Sequence, residues 1–305
     1  MKYCTIASTN ASRVAQGCMR IGGMTANQID TLIKTDLECG INFFDHAFIY
    51  GGGACETKFG QFLADNPSLR DQMLIQTKVG IRDGIYDSSG ETILSMTETC
   101  LARLGVDYVD FLLIHRPDAL VEPEEVAEAF DKLFSEGKVR HFGVSNHNSY
   151  QIELLNKYLG EDNPVCINQL QFSPTNTTMI DAGVNVNMEN EGAVNRDGSV
   201  LDYCRLKGIT IQPWSPFQYG FFNGVFLDNP KFPELNAKIN EMAEKYGTTN
   251  TGMVVSWILR HPAAMQPIIG TTTIERVQQI AAASDVDITR EDWYAIYKAA
   301  GNQLP

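Results

Sequence analysis

The chain has 305 residues, of which 44% are hydrophobic and 20% charged, the composition of a folded globular protein rather than of a disordered one. Its 24 Lys and Arg stand against 37 Asp and Glu, a formal charge of −13 that excludes nucleic acid and anionic membrane as expected partners. A chain of this length buries a substantial core and is long for one sandwich or bundle, but normal for one α/β barrel.

Taken in chain order, short apolar, β-branched or aromatic runs fall at 17–21, 41–45, 73–78, 108–115, 141–145, 166–170, 209–214 and 267–270, and each reads as a strand. Helical patterns separate them at 26–39, 91–104, 123–135, 149–159, 236–246, 251–260 and 273–283. Gly40, Gly105, Gly137, Gly160 and Gly247 stop five of these helices, and Pro262 stops a sixth. Pro123 followed by Glu124 and Glu125 is a helix-start signature.

Strand–helix alternation repeated about eight times predicts a single (β/α)8 TIM barrel, one domain over 1–305. An open doubly wound sheet would carry a glycine fingerprint after its first strand. Gly51-Gly52-Gly53 lacks the third glycine of such a fingerprint and reads as a flexible loop. Residues 176–198, rich in Asn, Gly and Asp, read as a long loop with at most a short helix.

Seven cysteines, odd in number and without a C-x-x-C pair, argue against a disulfide framework or structural zinc, and no metal is expected. Residues 1–6 show no apolar leader, and no run approaches membrane-spanning length, so the expected location is cytoplasmic.

In such a barrel the catalytic groups sit at the C-terminal ends of the strands. The second run ends in Asp45, with Tyr50 five residues on. The third ends in Lys78 and the fourth in His115. Neighbouring strands would bring these four together. A carbonyl reduction needs a hydride at carbon and a proton at oxygen. Tyr50 can give the proton if a cation eases its ionisation. Lys78 is that cation, Asp45 holds the ammonium in place, and a neutral His115 can hydrogen-bond the substrate oxygen.

These residues resemble an aldo-keto reductase. The segment Phe44-Asp45-His46-Ala47-Phe48-Ile49-Tyr50-Gly51 keeps the family's Asp-to-Tyr spacing, and Glu56, Gly60 and Leu63 continue its pattern. Gln76-Thr77-Lys78, Ile114-His115-Arg116-Pro117-Asp118 and Gly143-Val144-Ser145-Asn146 follow in the family's order. The resemblance implies a (β/α)8 barrel binding NADPH/NADP+ without a Rossmann domain, with NADH as the lesser alternative.

It also implies roles residue by residue. Asp45, Tyr50, Lys78 and His115 match the catalytic four. Ser145, Asn146 and Gln169 match the residues that hold the nicotinamide carboxamide, and Trp214 the aromatic that stacks on the ring. Ser215, Phe217 and Gly220 stand where the family wraps the pyrophosphate. Gly270, Thr271, Thr272 and Thr273 open the phosphate-binding helix, where Gly270 replaces a lysine common in relatives. Arg276 matches the 2′-phosphate ligand, and Gln279 is a candidate adenine contact. Met19, Arg20, Phe48 and Arg116 are candidates for the pocket of a small-molecule carbonyl substrate.

The alternative is a non-catalytic NADP(H)-binding regulatory or protein-interaction subunit. A metal-dependent hydrolase using Asp45, His46, His115 and His141 or His147 is disfavoured by the absence of an H-x-H pair.

Overall fold

In the computed structural model, residues 1–82, 85–160, 163–184, 200–220, 223–263 and 265–302 are described. The chain opens with an antiparallel hairpin of β1 (Tyr3–Ile6) and β2 (Thr9–Ser12). Eight parallel strands follow in chain order around one sheet: β3 (Ala15–Gly17), β4 (Phe43–Asp45), β5 (Leu74–Val79), then β8 (Val109–Ile114), β9 (Val139–Ser145), β10 (Ile167–Gln169), β11 (Thr210–Ile211) and β12 (Ile268–Ile269). Between β5 and β8 stands a second small hairpin, β6 (Ile81–Arg82) with β7 (Ile85–Tyr86).

The sheet closes on itself. β12 pairs with β3, and the N–H groups of Gln266 and Ile268 donate to the carbonyls of Ile211 and Pro213, each at 2.9 Å. The result is the (β/α)8 barrel expected from the alternation. Its first strand lies earlier than the 17–21 run. Ala15 and Gln16 give little apolar signal, while Cys18 and Ile21, which do, already belong to the turn beyond the strand.

Helices run outside the barrel between the strands. α1 (Ala26–Glu38) starts at a capping box in which Thr25 accepts from the Gln28 N–H and the Gln28 side chain answers to Thr25. α2 (Ala54–Asp65) was not visible as a periodic run. α3 (Gly90–Leu104), α4 (Pro123–Ser135) and α5 (Ser149–Leu159) match their expected positions, and Asn148 with Gln151 forms a second capping box. Within the expected 176–198 loop, Thr178–Val184 forms α6, and residues 185–199 lie outside the described residues. Then come α7 (Val200–Lys207), α8 (Pro233–Lys245), α9 (Asn250–Leu259), α10 (Ile274–Ala283) and α11 (Arg290–Ala299). Among the described residues no helix is long and apolar enough to cross a membrane.

Alternation along each strand sorts the side chains. Phe44, Ile75, Leu112 and Phe142 point out and pack under the helices. Phe43, Phe111, Leu113, Ile167 and Ile268 point in, where Ile6 and Ala11 of the first hairpin cover them. The hairpin thus plugs the N-terminal mouth. Two residues further along the same inward rows stand Asp45, His115 and Gln169, so the barrel changes from apolar to polar toward its C-terminal mouth.

Candidate active site

Asp45 and Lys78 come from adjacent strands and meet inside the barrel. The Lys78 Nζ donates to Asp45 Oδ1 at 2.6 Å and to the His46 carbonyl at 2.7 Å. Both side chains are buried. The ammonium lies 5.0 Å from the centroid of the Tyr50 ring, and the His115 ring stands edge-on to Tyr50 at 6.1 Å. The four predicted catalytic residues are therefore neighbours.

Electrostatics sets their protonation. Burial, and then the Lys78 and Arg116 charges, push His115 well below an ordinary histidine, so it is neutral at pH 7. Burial works against the Lys78 ammonium, but Asp45 and then Tyr50 hold its pKa above the usual lysine value. Burial raises the Tyr50 phenol, and Lys78 offsets this only in part. Lys78 therefore eases the ionisation of Tyr50, as expected of a nearby cation, but burial outweighs it and the hydroxyl keeps its proton.

The segment before α2 explains how Tyr50 is held. Phe48 N–H donates to the Lys78 carbonyl at 2.9 Å. Gly51, Gly52 and Gly53 all have positive φ (59°, 62° and 95°), which lets the chain turn sharply into α2 instead of forming a slack loop. Arg103, at the end of α3, donates to the Phe48 carbonyl at 2.9 Å and to Glu56 Oε2 at 3.2 Å. Thr77 donates to the other oxygen of this buried carboxylate at 2.7 Å. The Arg103 guanidinium lies 4.4 Å from the Phe48 ring centroid. Phe48 is therefore drawn outward beneath Arg103 and does not line the cleft, which corrects its assignment to the substrate pocket.

A cleft of about 680 Å³ opens over these four groups at the C-terminal mouth. Met19, Arg20 and Arg116 line it beside Asp45, Tyr50 and His115, while Lys78 sits behind them. Along a second wall stand Ser145, Asn146, Gln169 and Trp214, tied to one another. Ser145 Oγ donates to the Gln169 carbonyl at 3.0 Å, Asn146 Nδ2 to Ser145 Oγ at 2.8 Å, and Trp214 Nε1 to Asn146 Oδ1 at 3.3 Å. Ser215 and Phe217 continue this wall, and Gly270, Thr271, Thr272, Thr273 and Arg276 close its far end.

Two expected cofactor residues are not part of the lining. Gly220 is not among the lining residues, and its carbonyl accepts from Gln171 Nε2 at 3.1 Å. Gln279 is exposed on α10, and Ile280 takes the inward place. Ile49 and the β6–β7 hairpin, through Ile81 and Tyr86, add an apolar rim that the sequence reading overlooked. Asp83-Gly84 between Ile81-Arg82 and Ile85-Tyr86 was the available signal for it, a two-residue turn pair between alternating residues. Asp228 and Asn250 also reach the cleft, from segments without a motif.

A closed (β/α)8 barrel that gathers an ion pair, a tyrosine and a neutral histidine under a deep cleft has the build of a barrel enzyme. The model for the Aldo/keto reductase family matches residues 13–300, and the chain belongs to this family of oxidoreductases. It is 35% identical to 6-dehydroglucose reductase of Novosphingobium aromaticivorans over 96% of this chain and 93% of that one. It is likewise 35% identical to the oxidoreductase YcsN of Bacillus subtilis, over 96% of each. In fold it is similar to an aldo-keto reductase from Klebsiella pneumoniae solved with NADPH, with TM-score 0.78 and 21% identity over 100% of this chain and 98% of that one.

Proposed function

We propose that the protein, with residues 1–305 acting as one barrel unit, is an NADP(H)-dependent carbonyl reductase with Tyr50 as its proton donor. The observation that carries the reading is the buried Asp45–Lys78 pair behind Tyr50, with neutral His115 beside the ring. The bound cofactor would supply the hydride to the carbonyl carbon. His115, held neutral, orients the carbonyl oxygen by a hydrogen bond. Tyr50 gives that oxygen its proton, and the Lys78 ammonium stabilises the phenolate left behind. Asp45 keeps Lys78 in place and charged.

The second wall fits a nicotinamide dinucleotide. The amides of Asn146 and Gln169 suit a carboxamide, and the indole of Trp214 suits a flat ring. The backbone at Thr271–Thr273 opens α10, where N–H groups favour a phosphate. Arg276 makes no ion pair among the described residues and lines the cleft, as a 2′-phosphate ligand would. At Gly270 a built Cβ meets nothing within 4 Å, so the space a longer side chain would fill is open. Arg20 reaches it, donating to the Gly270 carbonyl at 3.3 Å.

The complete acid site favours turnover over the non-catalytic reading. The test is NADPH oxidation against a panel of aldehydes and ketones, including 6-dehydroglucose, with NADH beside it. Turnover with NADPH supports the reading. Tight cofactor binding with no turnover across the panel favours the binding-subunit alternative.

A further inference from the structure

Below the catalytic groups the barrel interior holds four buried glutamines, Gln76, Gln169, Gln212 and Gln266. They form one directed column. Gln266 Nε2 donates to the Ser12 carbonyl at 2.6 Å, at the end of the barrel closed by the first hairpin. Gln212 Nε2 donates to Gln266 Oε1 at 2.8 Å. Gln212 Oε1 accepts from Gln76 Nε2 at 2.8 Å and from Gln169 Nε2 at 3.1 Å. Those two nitrogens also donate to Asp45 Oδ1, at 2.6 and 3.3 Å.

An amide has a donor end and an acceptor end, so the sense of the column is not arbitrary. Its lower end is a backbone carbonyl, which only accepts. Its upper end is the carboxylate paired with Lys78, which also accepts. These two ends dictate every amide between them. Turning Gln212 over would set its NH2 against two other NH2 groups. Gln76 shows how strong the demand is: its nitrogen makes two bonds while its Oε1 is buried without a partner. The column also engages both hydrogens of the Gln169 amide. Gln169 lines the cleft, so its Oε1 is the atom left to offer there.

We propose that Gln212 and Gln266 are positioning residues. From the closed end of the barrel they fix the Asp45 carboxylate and turn the Gln169 amide so that its oxygen faces the nicotinamide. Neither residue lines the cleft. Burying an amide oxygen without a partner costs stability, so a network that keeps the Gln76 nitrogen on Asp45 and Gln212 at that cost has a geometric purpose to serve. The inference rests on the NADP(H) reading above.

The test compares two ligands of the full-length protein, NADPH and 2′,5′-ADP, which lacks the nicotinamide. Gln266→Leu removes the acceptor of Gln212 and leaves its Nε2 buried without a partner, so the column is no longer held from the closed end. NADPH affinity, read from the fluorescence of the bound nicotinamide, should fall about threefold to tenfold, the range of one lost hydrogen bond. Affinity for 2′,5′-ADP should stay within about twofold by the same reckoning. Gln266→Glu keeps an acceptor facing Gln212 in either protonation state and should restore most of the NADPH affinity. Gln212→Met gives the same comparison if Gln266→Leu does not fold.

Equal weakening of both ligands, or a lower melting temperature with unchanged NADPH affinity, would show that the glutamines merely fill the barrel and would overturn the proposal. Failure of the unmutated protein to bind NADPH is a separate result. It would refute the cofactor reading and take the proposal with it.

Discussion

At Asp45 and Lys78 two charges are held 2.6 Å apart, out of contact with bulk water. Each is tolerable only because the other is there, and this gives a prediction with a sign. Asp45→Asn should destabilise the fold by about 3–5 kcal/mol, because it leaves a buried ammonium uncompensated. The double variant Asp45→Leu, Lys78→Met should recover much of that loss while remaining inactive. Denaturant melts of the three proteins read the difference, and a double variant no more stable than Asp45→Asn would argue against the pair. At the other end of the cleft, Arg276→Ala should lower the preference for NADPH over NADH by about tenfold, one charge-assisted contact. Binding titrations with the two cofactors decide this, and an unchanged ratio would remove Arg276 from the 2′-phosphate site.

The four proposed catalytic residues were legible because Asp45, Lys78 and His115 stand at or next to strand ends, with Tyr50 five residues beyond the first of them. The error at Phe48 has a local cause. Sequence places it two residues before Tyr50, but the Arg103 side chain, 55 positions away, decides where its ring goes. Gln212 and Gln266 had no signal either, because an isolated Gln at a strand end is unremarkable until the barrel closes.

Among the elements, α2 and its neighbours show where packing overrides pattern. The triple glycine reads as slack chain, yet it launches a helix whose Gly60 lies against the end of α3. A Cβ at Gly60 would stand 2.3 Å from the Arg103 carbonyl oxygen and 2.8 Å from the Leu104 carbonyl carbon. Gly60→Ala should therefore push α2 and α3 apart and cost roughly 1–3 kcal/mol or more, the range for overpacking. It should also lower turnover, since α2 and α3 hold the Tyr50 segment through Glu56 and Arg103. A thermal melt and a rate on the same sample check both, and wild-type values for each would contradict the packing.

Beneath the same helix lies His46, against Phe59 at 4.5 Å between ring centroids, with neither ring nitrogen partnered. Burial, and then Lys78, lower its pKa to about 3. Burial likewise lowers His147, to about 4. The unfolded chain binds protons at these rings below about pH 6.5 and the folded chain does not, so stability is full above that pH and declines as pH falls toward the folded values. His46 alone should account for roughly 2 kcal/mol of loss at pH 5. His46→Met should flatten the melting temperature between pH 7 and 5 relative to the unmutated protein. An equal slope in both would show that His46 is protonated in the fold.

For the molecule as a whole, the barrel was readable because alternation is a global pattern that survives errors at single elements. A late first strand, an overlooked α2 and an overlooked hairpin at the cleft rim did not change the count of strands around the closed sheet. What the pattern did not convey was the grading of the interior, from Phe43 and Phe111 under the N-terminal hairpin, through the amides, to the ion pair at the mouth. That grading depends on which residues share a level of the barrel, and strand register sets it. It is also what lets an acidic chain hold a buried cation, Lys78, 5.0 Å from the centroid of the Tyr50 ring.

The most direct test of the account is the rate of NADPH oxidation with the best carbonyl substrate, measured for Tyr50→Phe beside the unmutated protein under matched cofactor saturation. Loss of the proton donor should reduce kcat by about 10²–10⁴-fold, while NADPH affinity stays close to that of the unmutated protein. Undiminished reduction by Tyr50→Phe would contradict the account at its centre.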